Sequence, residues 1–182
     1  MLRDLIINNR SRRRFYQDPV NRETLRELID LARLSASGGN RQALKFAISC
    51  DPETNSRIFP LIGLAGNPTA AEAPTAYIAI LGDTSISAGF GCDHGIAAQS
   101  IMLGATEKGL GGCMVGMVDR HRLRDVLGIA PHLEVLLLLV LGRPKDRVVI
   151  DPIGPDGNTQ GTWDEEDVRH VPKRPLDDII VN

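Results

Sequence analysis

Hydrophobic positions recur along this chain in two distinct rhythms. Leu2, Leu5 and Ile6 fall on one face of a helix over residues 2–9. Leu25, Leu28, Ile29 and Ala32 repeat at i, i+3, i+4 and i+7, which predicts a second amphipathic helix with Asn21 as its N-cap. "LKFAIS" and "TAYIAILGD" read as strands, and "HLEVLLLLVLGRP" as the most buried one. From Asp93, "DHGIAAQSIMLGATEKG" turns helical again. It is apolar nearly all round, so it is expected to be central and buried, with Gly109 at its C-terminal cap. "GGCMVGMV" reads as a glycine-weakened strand. "DRHRLRDVLG" reads as a short helix capped by Asp119 and Gly128, turning Leu123, Val126 and Leu127 inward.

Between these elements the pattern lapses twice. Beyond Pro52, residues 52–75 carry Pro60, Gly63, Gly66, Pro68 and Pro74, which predicts a loop or lid with a helical turn inside. The tail from about Lys145 is polar, rich in proline and glycine, and has little core of its own. It is expected to wrap its own domain or a partner subunit, with Pro175 opening a last turn that buries Leu176, Ile179 and Ile180. The order of elements lacks a βαβ series. It predicts a single α+β domain over residues 1–182, with a small mixed or antiparallel sheet flanked by helices.

Composition narrows the class. The 182 residues are 42% hydrophobic and 24% charged, a globular balance. The net charge is −2 and aromatics are only 4%, so a nucleic-acid partner is not expected. Cys50, Cys92 and Cys113 form no CxxC pair, and the start of the chain lacks a leader's apolar core. A reducing, cytoplasmic setting is therefore expected. The longest apolar run, Val135–Leu141, is too short for a bilayer, so no membrane association is expected.

Against that acidic background, "NNRSRRRFYQDP" is a local cluster of charge. Arg10, Ser11 and Arg13 can converge on one anion, because a guanidinium fork fits phosphate oxygens bidentately. The bland alternative is a solvated basic turn. Lys173 and Arg174 form a second basic pair, held between two prolines. In "SASGGNRQ", paired glycines let backbone N–H groups approach a flat or anionic ligand, and Asn40 and Gln42 can read the edge of a heterocycle. The alternative is a simple helix end and turn. The glycines of "GLGGCMVGMV" mark either a ligand lying on the backbone or tight packing. Cys92-Asp93-His94 lacks a partner pair at zinc spacing, so no metal is expected. Asp164–Asp167 reads as a solvated acidic face.

Taken in order, these pieces resemble the FMN-dependent nitroreductase family. The resemblance rests on Arg10-Ser11-Arg12-Arg13 followed by Phe15, the "SGGNRQALKF" turn, the "DHGIAAQSIMLGA" helix, "EKGLGGCMVG", "LVLGRP" and "VPKRPLDDII". It implies a homodimer with two FMN sites at the subunit interface. It also implies ping-pong hydride transfer from NADH or NADPH through flavin to a small-molecule acceptor such as a nitroaromatic or quinone. By the same resemblance, Arg10, Ser11 and Arg13 hold the phosphate, ribityl chain or N1–O2 edge, and Lys173 and Arg174 grip the phosphate. Ser37, Gly38 and Asn40, with Gln42 in the same turn, come from the other subunit. Met114, Val115 and Gly116 back the ring. The catalytic role falls to the flavin itself, which explains the lack of an acid–base dyad. Asn9 and Ala43-Leu44 depart from the family pattern and affect the shape of the pocket. The alternative from a different class is a non-catalytic module that binds flavin or another phosphorylated ligand on the same scaffold.

Overall fold

The structure, a computed structural model, describes residues 1–181. The chain divides into two compact units, residues 1–144 and the remainder from Lys145.

The first unit is built on β5 (Leu133–Pro144), the long strand expected from "HLEVLLLLVLGRP". It pairs antiparallel with β3 (Ala76–Asp83) on one edge and with β4 (Gly111–Val115) on the other. β2 (Leu44–Ser49) adds beyond β3, so four antiparallel strands run in the order β4-β5-β3-β2. A two-residue strand, β1 (Phe15–Tyr16), pairs with Arg143 and Pro144 at the end of β5. Every residue of β3 is buried, which is why its sequence shows no alternation of polar and apolar positions.

Each face of the sheet carries its own apolar cluster. On one face lies α4 (Asp93–Glu107), with α2 (Arg22–Leu34) packed against it. Leu25, Leu28, Ile78, Ile80, Ile101 and Met102 form the core there. Burying each such aliphatic side chain contributes about 1.5–3 kcal/mol. The N-cap read from sequence is present: Asn21 Oδ1 accepts from Thr24 N–H at 2.8 Å. At the C-terminal end of α4, Gly109 takes φ 72°, and Leu110 N–H donates to Ala105 O, closing the helix in a Schellman turn. The opposite face buries Phe15, Tyr77, Cys113, Val115 and Leu138, along with Leu123 of α5 (Arg120–Leu127). Asp119 caps α5 by accepting from Arg122 N–H. The first helix, α1 (Leu2–Asn8), buries none of its residues.

The segment read as a loop or lid is largely ordered structure. Pro52 opens α3 (Pro52–Ile58), with Asp51 Oδ2 accepting from Thr54 N–H at 2.8 Å. Ile58, Leu61 and Leu64 are core residues of the second cluster. Proline at a first helical position looks like a breaker in sequence but stabilises a helix start. Prolines and glycines further along then disguise a buried face.

The second unit holds a three-stranded sheet that the sequence pattern did not reveal. β6 (Arg147–Pro152) runs parallel to β8 (Val168–Lys173), and β7 (Thr162–Trp163) adds antiparallel to β8. The final turn expected after Pro175 forms as a single 3₁₀ turn, Leu176–Asp178. Contrary to expectation, Leu176, Ile179 and Ile180 are exposed. The acidic run is not merely solvated. Asp164 Oδ1 accepts from Glu166 and Val168 N–H, and its Oδ2 lies 2.9 Å from His170 Nε2. Among the described residues, no helix is long and apolar enough to cross a membrane.

Candidate functional site

Arg10 and Ser11 leave α1 and run straight onto β4. Ser11 bridges Gly112 in parallel, and Arg12 N–H donates to Gly112 O at 2.8 Å. The basic segment and the glycine-rich strand, about a hundred residues apart in sequence, are thus joined by backbone bonds. Ser11 itself is exposed. Arg13 Nη1 donates to Ser11 O at 3.3 Å, which keeps Arg13 close to this segment.

Arg10 carries the clearest electrostatic signal of the segment. Its Nη2 donates to Ile6 O at 2.6 Å, while its Nε is buried with no hydrogen-bond partner. Burial lowers its pKa from the ordinary arginine value, because the charged form is partly stripped of water. It remains a cation at physiological pH, and an anion beside it would supply the missing partner. Arg10 and Arg12 line a groove of about 450 Å³ together with Asn8, Glu107 and Gly111. Arg12 was not singled out from sequence. Its side chain covers Gly111, where an added Cβ would meet Arg12 Cγ at 2.6 Å.

The glycines of β4 and the one that follows it, Gly116, split between the two roles open to them. A Cβ on Gly112 would meet Val140 O at 2.3 Å and Met102 Cε at 3.0 Å, so this glycine serves tight packing against β5 and α4. At Gly116 no heavy atom lies within 4 Å of such a Cβ, so space is open above the backbone. Met114 is half-exposed, whereas the Val115 side chain points into the core. Any ligand along this stretch therefore meets the Met114 side chain and the backbone of Val115 and Gly116. Beyond Gly116, Gly63 N–H donates to Met117 O at 2.9 Å, and Asp119 N–H donates to Leu61 O. The 59–64 segment is thereby pinned beside the strand end, with a cleft of about 510 Å³ between Phe59, Ile62, Leu64, Asn67 and Met117.

Ser37, Gly38, Asn40 and Gln42 lie elsewhere in this unit, on the turn between α2 and β2. Gly39, Asn40 and Gln42 all adopt left-handed backbone, with φ of 57°, 53° and 52°. For Asn40 and Gln42 this conformation is strained, and such strain persists only where surrounding contacts enforce it. The turn leads into β2, whereas β4 is at the opposite edge of the sheet. At about 4.8 Å per strand, three spacings separate those edges by about 14 Å. Lys173 ends β8 in the second unit, and Arg174 follows it. Both are exposed, and Lys173 O accepts from Ile153 N–H.

A sequence profile of the nitroreductase family matches residues 6–75 and 61–143. The chain belongs to the nitroreductase family. An Archaeoglobus fulgidus protein, described as a candidate NADH dehydrogenase/NAD(P)H nitroreductase, is 28% identical over 153 residues, covering 78% of this chain and 84% of that one. The crystal structure of a nitroreductase-family protein from Streptococcus pneumoniae TIGR4 superposes with a TM-score of 0.76 at 17% identity, with 100% of both chains covered. An FMN-dependent nitroreductase from Clostridium difficile R20291 gives a TM-score of 0.68 at 21% identity, over 79% of this chain and 87% of that one. The α+β expectation, with an antiparallel central sheet, matches the fold of these neighbours.

Proposed function

We propose that this nitroreductase-family chain is an FMN-dependent oxidoreductase that passes reducing equivalents from NADH or NADPH to an electron-poor small molecule such as a nitroaromatic or quinone, in ping-pong order. The observation that carries this reading is the bonding of the Ser11–Arg12 backbone to Gly112. It brings the arginine cluster beside a strand whose far end, Gly116, opens into free space.

The residues present suit a flavin mononucleotide. When bound, FMN supplies the redox chemistry. The protein's part is to bind and orient it. Arg10, with its unpartnered Nε, and Arg13 offer permanent positive charge to the phosphate or to the N1–O2 edge. Ser11 adds a neutral hydroxyl donor. Met114, Val115 and Gly116 would support the ring, two of them through backbone alone. Lys173 and Arg174 are assigned to the phosphate by the family resemblance.

The same reading calls for two copies of the chain. Ser37, Gly38, Asn40 and Gln42 lie across the sheet from β4, so a second protomer is the natural source of this turn at each flavin. Exposed apolar side chains at Ile6, Ile7, Leu34 and Ile96 supply surface for such a homodimer. A reducing, cytoplasmic setting belongs to the same reading, in keeping with three cysteines that form no CxxC pair.

The test is reconstitution. Purified protein is titrated with FMN, and NAD(P)H-dependent reduction of a nitroaromatic or quinone is followed. Saturable FMN binding with steady turnover supports the reading. Absence of FMN binding sinks it, and binding without turnover leaves a non-catalytic flavin carrier.

A further inference from the structure

Asp93 opens α4 and is buried, only 8% exposed. A carboxylate is costly to bury unless it is hydrogen-bonded. Its Oδ1 accepts from Gly38 N–H at 2.9 Å, across 55 residues of sequence. Asp93 also lines a cavity of about 130 Å³ together with Ser37, Gln42, Phe46 and Ala97. Its place in the first turn of a 15-residue helix favours the negative charge.

The other described hydrogen bonds of this turn stay within it. Ser37 Oγ accepts from Gln42 N–H at 3.2 Å, and Gln42 Nε2 donates to Asn40 Oδ1 at 3.3 Å. Ser37 O accepts from Asn40 N–H, and Gly38 O accepts from Arg41 N–H. Among the described hydrogen bonds of residues 37–42, the one to Asp93 alone reaches outside the turn. Between the ends of α2 and β2, three left-handed residues in four therefore have one described hydrogen bond to the rest of the protein, and it goes to a buried carboxylate.

We infer that Asp93 is a positioning residue: it tethers the 37–42 turn to the start of α4 in the strained form that presents Ser37, Asn40 and Gln42 to flavin. This rests on the flavin reading above. The tether itself does not, so the two can fail separately. What Asp93 contributes is an acceptor oxygen at a fixed point, which asparagine can replace and alanine cannot. Gly38→Pro removes the donor instead, and its ring Cδ crowds Asp93 Oδ1 where the N–H pointed, a clash that the double variant relieves. Ser37 is already extended, as a residue before proline must be.

The experiment compares Asp93→Ala, Asp93→Asn, Gly38→Pro and the Asp93→Ala/Gly38→Pro double variant. Circular dichroism and thermal melting establish that each is folded. Amide hydrogen exchange of residues 36–43 is measured without flavin, followed by FMN affinity, kcat and KM. Losing the tether should speed exchange in the turn about tenfold while β3 amides stay protected. FMN affinity should fall about tenfold, the scale of one lost hydrogen bond. Asp93→Asn should stay within about threefold of the wild type, and the double variant should be no worse than the worse single. Wild-type exchange in both single variants overturns the tether. Additive losses in the double variant, or Asp93→Asn failing as badly as alanine, overturn it too. If Asp93→Ala does not fold, Gly38→Pro alone decides the same bond. If the wild type takes up no FMN, the exchange result still judges Asp93, and only the flavin reading falls.

Discussion

His170 Nε2 lies 2.9 Å from Asp164 Oδ2, and its Nδ1 lies 2.6 Å from Asp151 Oδ2, so one imidazole joins β8 to β6 and to the turn after β7. Asp164 first, then Asp151, raises the His170 pKa above its ordinary value. The bond to His170, with backbone N–H donors, lowers that of Asp164. The raised histidine contributes order that is complete below its unfolded value near 6.5 and is lost as pH rises through the higher folded value. The lowered aspartate contributes order that is present above about 4 and is lost as pH falls through its depressed value. Order in residues 147–173 should therefore peak between about pH 4 and 6.5 and loosen toward alkaline pH. Hydrogen exchange, corrected for its intrinsic pH dependence, should show this, and His170→Asn should abolish the alkaline step. An unchanged profile in that variant would contradict the assignment.

Gly112 of β4 and Gly116, just beyond the strand, should respond oppositely to alanine. Gly112→Ala drives a methyl into Val140 O and should cost about 1–3 kcal/mol of stability by overpacking. Gly116→Ala has open space and should change stability by less than about 0.5 kcal/mol. It should instead weaken FMN binding by occupying the surface proposed for the ring. Denaturant unfolding and FMN titration of both variants separate the two roles.

The arginine cluster should be read out by retention of cofactor. Arg13→Ala and Arg10→Ala should each weaken FMN binding by the worth of a charge-assisted pair, about 1.5–3 kcal/mol or roughly 10- to 150-fold. The loss should shrink at high salt where the pair is solvent-screened. Wild-type affinity in either variant would return that arginine to the role of surface charge.

Residues 52–64 should behave as packed structure rather than as a mobile cover. Ile58 is completely buried, and Ile58→Ala should cost about 2–5 kcal/mol. A change below about 0.5 kcal/mol on unfolding is the result expected of a solvated loop.

What could be read in the sequence follows the range of the forces involved. β3 and β5 declare themselves because strands buried on both faces need unbroken apolar runs. Asn21 and Asp119 announce helix starts because each bonds a backbone N–H three residues on. By contrast, Gly112 and Gly116 look alike in sequence, and only the distant Val140 and Met102 distinguish them. Asp93 gave no local sign of holding Gly38, 55 residues away. β1, with two residues, and the short strands of the tail carry too few positions to show a period. The joining of Ser11 to Gly112 was not legible at all, because nothing local in either segment encodes its partner.

The central claim is that this chain holds a redox-active flavin. Its most direct test is the visible spectrum of the FMN-reconstituted protein under anaerobic addition of NADH or NADPH. The account predicts that the flavin absorbance bleaches and then returns on addition of a nitroaromatic or quinone. A protein that remains colourless after FMN is added and free ligand removed, or a bound flavin that never bleaches, would contradict it.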